Sequence, residues 1–248
     1  MKFALIGHPV EHSFSAQYLN TRFKNEGIDA HYELIDLPDI AEFPTLIQSS
    51  KYDGFNVTIP HKRAIIPYID SLSPEAQAIG AVNVIQIIKS HSEISDIAQH
   101  SGISGVHLIG HNTDIIGFHE TLTPLLKPYH THAVILGTGG ASQAVQYVLQ
   151  QLNIPFRLVT HNELNANTIT QLAPIIINTT PLGMHPNTNT MPNIDYSQIT
   201  PNHLIYDLVY NPPETQFLKL AKQQGATTQN GLAMLHRQAD AALNIWLK

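Results

Sequence analysis

The 248-residue chain contains no cysteine, which excludes disulfides, thiolate nucleophiles and thiolate metal sites together. It is also short of charge. Asp, Glu, Lys and Arg make up 13 % of the residues, about half the usual globular share. Thirteen Lys and Arg stand against 19 Asp and Glu, for a formal net charge of −6. The clustered cations of a nucleic-acid surface are therefore missing. No run of about 18 uninterrupted apolar residues occurs, so no membrane span is expected. The opening stretch Met1-Lys2-Phe3-Ala4-Leu5-Ile6-Gly7-His8-Pro9 is too short for the apolar region of a secretory leader and turns at once. It reads as the first strand of the fold, and the protein is expected to be cytoplasmic.

What is present is enough for a sizeable core. Hydrophobic residues are 43 % of the chain, which suits one large domain or two of ordinary size and argues against disorder. The 15 histidines are scattered, and none falls into His-Glu-x-x-His or another ligand spacing. His130 and His132 precede a strand, His8 and His12 flank a loop, and no metal site is expected.

Apolar strand-like runs alternate with helical patterns throughout, which is the signature of α/β architecture with parallel sheets. In the first half, strands are expected at Lys2 to Ile6, Ala30 to Ile35, Gly54 to Val57, Gly80 to Ile88 and Val106 to Ile109. Helices are expected at Ser15 to Asn25 and Asp39 to Gln48, and Lys89 to Ser104 reads as an exposed polar excursion. The second half restarts the pattern with strands at Ala133 to Leu136, Phe156 to Thr160, Ile175 to Ile177 and Leu204 to Leu208. Its helices are expected at Ser142 to Gln151, Leu164 to Leu172, Pro213 to Gln224 and Leu232 to Leu247. Two α/β lobes joined near residue 114 is the economical interpretation.

Several segments carry polar groups where chemistry needs them. In Gly54-Phe55-Asn56-Val57-Thr58-Ile59-Pro60-His61-Lys62 an apolar strand runs into Thr58 and Lys62 across a stiff proline. Alone, Lys62 would better fit a surface lysine at a helix start. Gly137-Thr138-Gly139-Gly140-Ala141-Ser142 follows a buried strand and opens a helix, the context of a dinucleotide-binding turn. The third glycine of the usual spacing is replaced by Ala141 or shifted to Gly140, so the match is a variant, and a plain glycine-rich turn is the alternative. The next strand ends Leu158-Val159-Thr160-His161-Asn162 with no acid before Glu163, which suits a 2′-phosphate, with His161 as a donor. Asn112-Thr113-Asp114 begins a helix and could be only its N-cap; Ser15, after Ser13, is a natural cap as well.

The ordered set of motifs resembles the shikimate dehydrogenase (shikimate/quinate dehydrogenase) family over essentially the whole chain. The set runs Gly7-His8-Pro9-Val10 with Ser13 and Ser15, then Asn56-Val57-Thr58 with Lys62, then Gly80-Ala81-Val82-Asn83 and Asn112-Thr113-Asp114. The glycine turn follows, then Asn178-Thr179-Thr180-Pro181-Leu182-Gly183-Met184, Asp207-Leu208-Val209-Tyr210-Asn211-Pro212, and Gly231 through Gln238. The resemblance implies a substrate-binding catalytic domain over 1–113, with 231–248 packing back on it, and a Rossmann-like dinucleotide domain over 114–230. It implies Lys62 and Asp114 as the catalytic pair. Ser13, Ser15, Thr58, Asn83, Tyr210 and Gln238 would hold a shikimate-like substrate. Gly137, Thr138, Gly139, Gly140, Ala141, Thr160, His161, Leu208 and Gly231 would line the cofactor, NADP, with NAD possible. A small-molecule enzyme, monomer or homodimer, with no nucleic-acid or membrane partner follows.

The chain also departs from the family pattern. Ala16 stands for a usual proline, Leu19 for a histidine and Val84 for a threonine beside Asn83. The usual Asn-Arg-Thr and later basic residue of the NADP site read here as Thr160-His161-Asn162 and Asn165. The stretch from Asn83 to Asp114 is longer than the norm. A quinate or broad quinate/shikimate dehydrogenase with NAD preference and an inactive nucleotide-sensing regulator remain as alternatives, and retention of both Lys62 and Asp114 speaks against the second.

Overall fold

The structure, a computed structural model, describes residues 1–49, 52–89, 105–166 and 173–248. The chain divides into two compact units, one of Met1–Thr113 with Gln238–Lys248, the other of Asp114–Arg237.

The first unit is built from β1 (Lys2–Gly7), α1 (Ser15–Glu26), β2 (His31–Asp36), α2 (Phe43–Ser49), β3 (Gly54–Val57), β4 (Ser71–Leu72), α3 (Pro74–Ile79), β5 (Val84–Lys89) and β6 (Val106–His111). Its sheet has the order β2-β1-β3-β5-β6-β4. β1 pairs in parallel with β2 and β3, whereas β5 is antiparallel to both β3 and β6. The all-parallel expectation is thus corrected for this unit. The chain leaves β3 at Val57 and returns beside it at Val84 opposite Asn56, at the same end, so β5 must run backwards.

Both faces of this sheet are covered, which is why β1 reads as an unbroken apolar run. Ala4 and Ile6 join Phe43, Phe55, Ile65 and Ile85 on one side. Phe3 and Leu5 face the other, with Leu19, Phe23, Ala239 and Leu243. The last two belong to α8 (Leu232–Trp246), the final helix, whose C-terminal part lies in the first unit. Tyr18 donates to Asp240 Oδ1 at 2.7 Å, and Arg22 pairs with the same carboxylate. Trp246 stacks on Phe3 at 4.5 Å and 14°, and its Nε1 donates to the Ile85 carbonyl at 3.1 Å.

The second unit contains α4 (Asp114–Leu122), β7 (Ala133–Leu136), α5 (Gly140–Gln151), β8 (Phe156–Val159), α6 (His161–Ala166), β9 (Ile175–Asn178), β10 (Leu204–Asp207), α7 (Gln216–Gln223) and β11 (Thr227–Gln229). Its five-stranded sheet, β11-β10-β9-β7-β8, is parallel throughout. Val134 and Leu136 pack to one face with Ile176, Ile205 and Phe217; Ala133 and Ile135 pack to the other with Phe118, Val145, Val148 and Tyr206. This alternation within four-residue strands buries every side chain of β7.

Other expected elements shift for local reasons. The strand expected from Gly80 starts at Val84, because Gly80 closes α3 in the left-handed region at φ 67° and its N–H donates to the Ala76 carbonyl. The helix expected at Asp39 divides into a 3₁₀ turn at Ile40–Glu42, capped by Asp39 through the Ala41 N–H, and α2. The helix expected from Pro213 begins at Gln216, because Thr215 accepts from the Leu218 N–H and caps it. α6 starts at His161 rather than Leu164, and residues 167–172 of that expected helix lie outside the described residues, as do 90–104 of the polar excursion. Short elements that the sequence pattern missed are β4, α3 and β11.

Gly54 sits directly beneath the indole: a Cβ there would lie 2.4 Å from Trp246 Nε1. Gly54→Ala is expected to unseat Trp246 and to destabilise the protein by about 2 kcal/mol, in the range of core overpacking. Urea unfolding followed by the fluorescence of this single tryptophan measures it. An unchanged midpoint with unchanged emission would show that the indole does not rest on Gly54.

Candidate active site

Several of the polar residues singled out in the first unit lie at or just after strand ends. At the end of β1, a Cβ on Gly7 would lie 2.4 Å from Thr58 Cγ2, so only glycine lets the two chains approach. Thr58 follows β3 and donates its N–H to the Ile6 carbonyl at 2.9 Å. The helix-cap reading of Ser15 is corrected. Phe14 occupies the N-cap of α1 without a side-chain cap, and Ser15 is the first residue inside the helix, buried. The Ser13 hydroxyl accepts from the Ser15 N–H at 3.3 Å and donates to its Oγ at 3.2 Å. The two serines therefore form one hydroxyl pair.

Lys62 lies in a turn, half-buried, not at the start of a helix. His61 before it is buried with its imidazole on the Leu37 carbonyl, and the Lys62 carbonyl accepts from the Val82 N–H at 2.7 Å. The backbone at Lys62 is thus held through its own carbonyl, next to an anchored His61.

Asn83 is the most connected of these groups. Its Oδ1 accepts the Thr113 N–H at 2.7 Å, and its Nδ2 reaches Thr113 Oγ1 at 3.1 Å and Gln238 Oε1 at 3.4 Å. Its carbonyl accepts from the Val57 N–H at 2.9 Å and from Asn56 Nδ2 at 3.1 Å. Tyr32 donates to Asn56 Oδ1 at 2.7 Å. Asn112 is buried and donates to the Ala81 carbonyl at 3.0 Å. Thr113, Asn56 and Tyr32 had no assigned role in the sequence; for Asn56 the signal was a polar residue inside an otherwise apolar strand, Gly-Phe-Asn-Val.

In the second unit, Asp114 is the buried first residue of α4. The glycine turn between β7 and α5 is shaped by two different constraints. Gly137 has φ 105°, and a Cβ there would meet Thr179 Oγ1 at 2.8 Å and Thr180 Cγ2 at 2.9 Å. Gly139 caps α5 in extended conformation with no side-chain cap, and a Cβ there would meet nothing within 4 Å. Backbone N–H groups of the helix start are left for an external acceptor beside an open approach, as a pyrophosphate requires. Ser142 braces the turn by donating to the Gly137 carbonyl at 2.8 Å. Thr138 is exposed, and Gly140 and Ala141 are half-buried in the first turn of α5.

The end of β8 differs from the sequence reading. An acid does close this strand, because the Glu163 side chain folds back from the first turn of α6. Its Oε2 accepts the Thr160 N–H at 2.8 Å and the Thr160 hydroxyl at 3.0 Å, while the Glu163 N–H reaches Thr160 Oγ1 at 3.3 Å. This is a capping box. Arg157 Nη2 donates to Glu163 Oε1 at 3.2 Å. The Thr160 N–H chiefly, then its hydroxyl and Arg157, hold the Glu163 carboxyl below the usual carboxylate range. His161 is exposed at this turn.

The loops after β9 and β10 are joined by a buried polar group. Asp207 Oδ1 accepts from Asn178 Nδ2 at 2.9 Å and from the Val209 N–H at 3.1 Å, and Oδ2 accepts the Thr215 hydroxyl at 2.6 Å. Thr180 donates to Asn178 Oδ1 at 2.6 Å, which extends the chain of bonds. Gly231 lies against this loop so closely that a Cβ would fall 2.0 Å from the Leu208 carbonyl oxygen. Tyr210 is half-buried. Among the described residues there is no group of three or more His, Asp or Glu that could hold a metal ion, and no helix is long and apolar enough to cross a membrane.

A parallel sheet with a glycine turn open at a helix start, in a chain that also carries a mixed-sheet unit with clustered hydroxyls and amides, defines a two-unit α/β protein of the nucleotide-dependent kind. Residues 5–85 match the family described as the shikimate dehydrogenase substrate binding domain. The chain is 37 % identical to the shikimate dehydrogenase (NADP(+)) of Methanocaldococcus jannaschii, over 98 % of this chain and 89 % of that one. It is 33 % identical to the enzyme of the same name from Caldanaerobacter subterraneus subsp. tengcongensis, over 98 % and 90 %. Among solved structures, shikimate 5-dehydrogenase from Thermus thermophilus, in complex with NADP(H) and shikimate, aligns with a TM-score of 0.81 at 29 % identity, covering 99 % of this chain and 93 % of that one. The chain belongs to the shikimate dehydrogenase family.

Burial pushes the Asp207 carboxyl up to about 6, against the pull of its three hydrogen-bond donors. An acid raised from its unfolded value favours the native state fully at pH below about 3.9 and loses that contribution as pH rises through about 6, worth about 3 kcal/mol. Asp207→Asn keeps the Oδ1 acceptor and lets the Thr215 hydroxyl turn to accept. The melting temperature of the variant minus that of the wild type is expected to climb between pH 4 and 6.5 and then level. A flat difference across that window would remove the titration from Asp207.

Proposed function

We propose that this chain catalyses the reversible NADP-dependent reduction of 3-dehydroshikimate to shikimate, a step of aromatic amino-acid (chorismate) biosynthesis. The observation that carries this reading is the nearly full-length identity to proteins named shikimate dehydrogenase (NADP(+)). NADP, when bound, supplies or takes the hydride. The N-terminal unit acts as the substrate domain and the Asp114–Arg237 unit as the dinucleotide domain. The setting is cytoplasmic, as a monomer or homodimer.

The residues of the chain bind, orient and move a proton. Ser13, Ser15, Thr58, Asn83, Gln238 and Tyr210 hold the substrate carboxylate and ring hydroxyls. Gln238 Oε1 accepts two bonds, from Asn83 Nδ2 and Thr113 Oγ1, both 3.4 Å long. Bonds at that limit yield readily to a closer substrate hydroxyl. Oxidation of an alcohol releases a proton, and Lys62 with Asp114 is the pair assigned to accept it and return it in reduction. The bonded carbonyl of Lys62 and the anchored His61 beside it support that role, since a proton-transfer group gains from a fixed position. Gly137, Thr138, Gly139, Gly140 and Ala141 receive the pyrophosphate; Thr160 and His161 face the adenosine ribose, and Leu208 and Gly231 flank the nicotinamide side.

Absorbance of the reduced nicotinamide, with shikimate and NADP as substrates, tests the reading directly; no turnover would overturn it. Lys62→Ala is expected to lower kcat by about 10²–10⁴-fold with little change in KM. Asp114→Asn is expected to lower kcat while the melting temperature stays within a degree or two, because Asn starts a helix about as well as Asp. Wild-type kcat in either variant would strike that residue from the catalytic pair.

A further inference from the structure

We propose that Arg157 is the cation that receives the 2′-phosphate of NADP, and that Glu163 competes with the phosphate for it. This deepens the cofactor reading above and rests on it.

A dinucleotide bound at a strand–glycine turn–helix lays its adenosine ribose against the end of the second strand of that sheet half. Here that end is Val159 and Thr160, and the Gly137 N–H bonds to the Val159 carbonyl at 2.9 Å, tying it to the glycine turn. The turn after it, Thr160-His161-Asn162, offers neither Arg nor Lys for a phosphate. A cation reaches the place from within β8 instead. The Arg157 guanidinium is 3.2 Å from Glu163 Oε1, whose other oxygen takes the Thr160 N–H at 2.8 Å and hydroxyl at 3.0 Å. A backbone N–H, a hydroxyl and a guanidinium thus converge on one carboxylate, and both charged side chains are nearly half exposed, at 47 % and 43 %.

Those three donors are the set a phosphate needs. A 2′-phosphate carries more charge and more acceptor oxygens than the carboxylate and takes a guanidinium two-handed. It therefore displaces Glu163 from Arg157. The bare 2′-hydroxyl of NAD leaves the pair in place and donates to the carboxylate. Both cofactors are accommodated, and the Glu163–Arg157 bond lowers the margin by which NADP is preferred.

Calorimetric titration of the full-length protein with adenosine 2′,5′-bisphosphate and with AMP separates the contributions. Arg157→Ala is expected to weaken bisphosphate binding about tenfold or more and AMP less than about twofold. Glu163→Gln preserves the capping box and is expected to strengthen bisphosphate binding by up to about fivefold. Arg157→Ala that leaves the bisphosphate unaffected, or weakens both ligands equally, overturns the assignment of Arg157. Glu163→Gln that fails to strengthen the bisphosphate overturns the competition. Shikimate turnover on the same preparations judges the enzyme reading separately: turnover with an unchanged fragment pattern refutes this inference alone. Fragment discrimination without turnover supports Arg157 and strikes the catalytic reading.

Discussion

The carboxamide of Asn83 is buried in the first unit with its oxygen, its amide hydrogens and both backbone groups engaged at once. Thr113, Gln238, Val57, Asn56 and His111 all supply partners to this one residue. A buried polar group left unpaired costs about 1–3 kcal/mol, so these partners must arrive together. The consequence is geometric. The ends of β3 and β6 and the C-terminal part of α8 are fixed to a common point, with Thr58 directly after the bonded Val57 and the Lys62 carbonyl bonded to Val82, the residue before Asn83. Apolar packing makes the sheet, but it is non-directional; the amide makes the strand ends converge.

The second unit solves the same problem with a carboxyl group, and the difference has a physical cost. Asp207 accepts three bonds that join the loops after β9 and β10 to the cap of α7. A neutral amide suffers no charge desolvation, whereas this buried carboxyl is pushed up to about 6. Its hydrogen bonds each favour the charged form and only partly offset burial. The loop that carries Leu208 and Tyr210 is therefore anchored by a group whose charge changes just below neutrality.

The parts legible in the sequence were those set by hydrophobic periodicity and by turn chemistry. β1, β3, β7 and β9 stood out as short apolar runs because they are buried on both faces, and Gly137 to Ser142 stood out because strand, glycines and helix occur in order. What escaped has two causes. The antiparallel course of β5 depends on which sheet end the chain re-enters, and residue types do not encode that. Side-chain return was the second cause: reading along the backbone, β8 ends without an acid, yet Glu163 comes back three residues to cap Thr160. That arrangement is written as Thr-x-x-Glu in the sequence, so the signal was present and its meaning for the strand end was missed. Arg157 escaped because an exposed strand residue announces nothing until its partner is known. Six of the thirteen Lys and Arg, including Arg157, are seen in described ion pairs. In a chain so poor in charge, where each cation is held carries more information than how many there are.

The glycines carry the same lesson about local reading, since one residue type serves opposite purposes. Gly231 has the Leu208 carbonyl where a side chain would be, and Gly54 has the Trp246 indole. Packing alone accounts for both, and a ligand need not be invoked for either. Gly139 is different: a side chain there would meet no protein atom, and its backbone is in a conformation open to any residue. Neither crowding nor strain explains why it is glycine. What remains is the space it leaves beside the start of α5, where an anion can approach the unbonded N–H groups without a Cβ in the way. The weight of the cofactor assignment therefore falls on Gly139 and the helix start it caps, while at Gly231 the glycine lets the chain that follows β11 lie flat against the Leu208 loop.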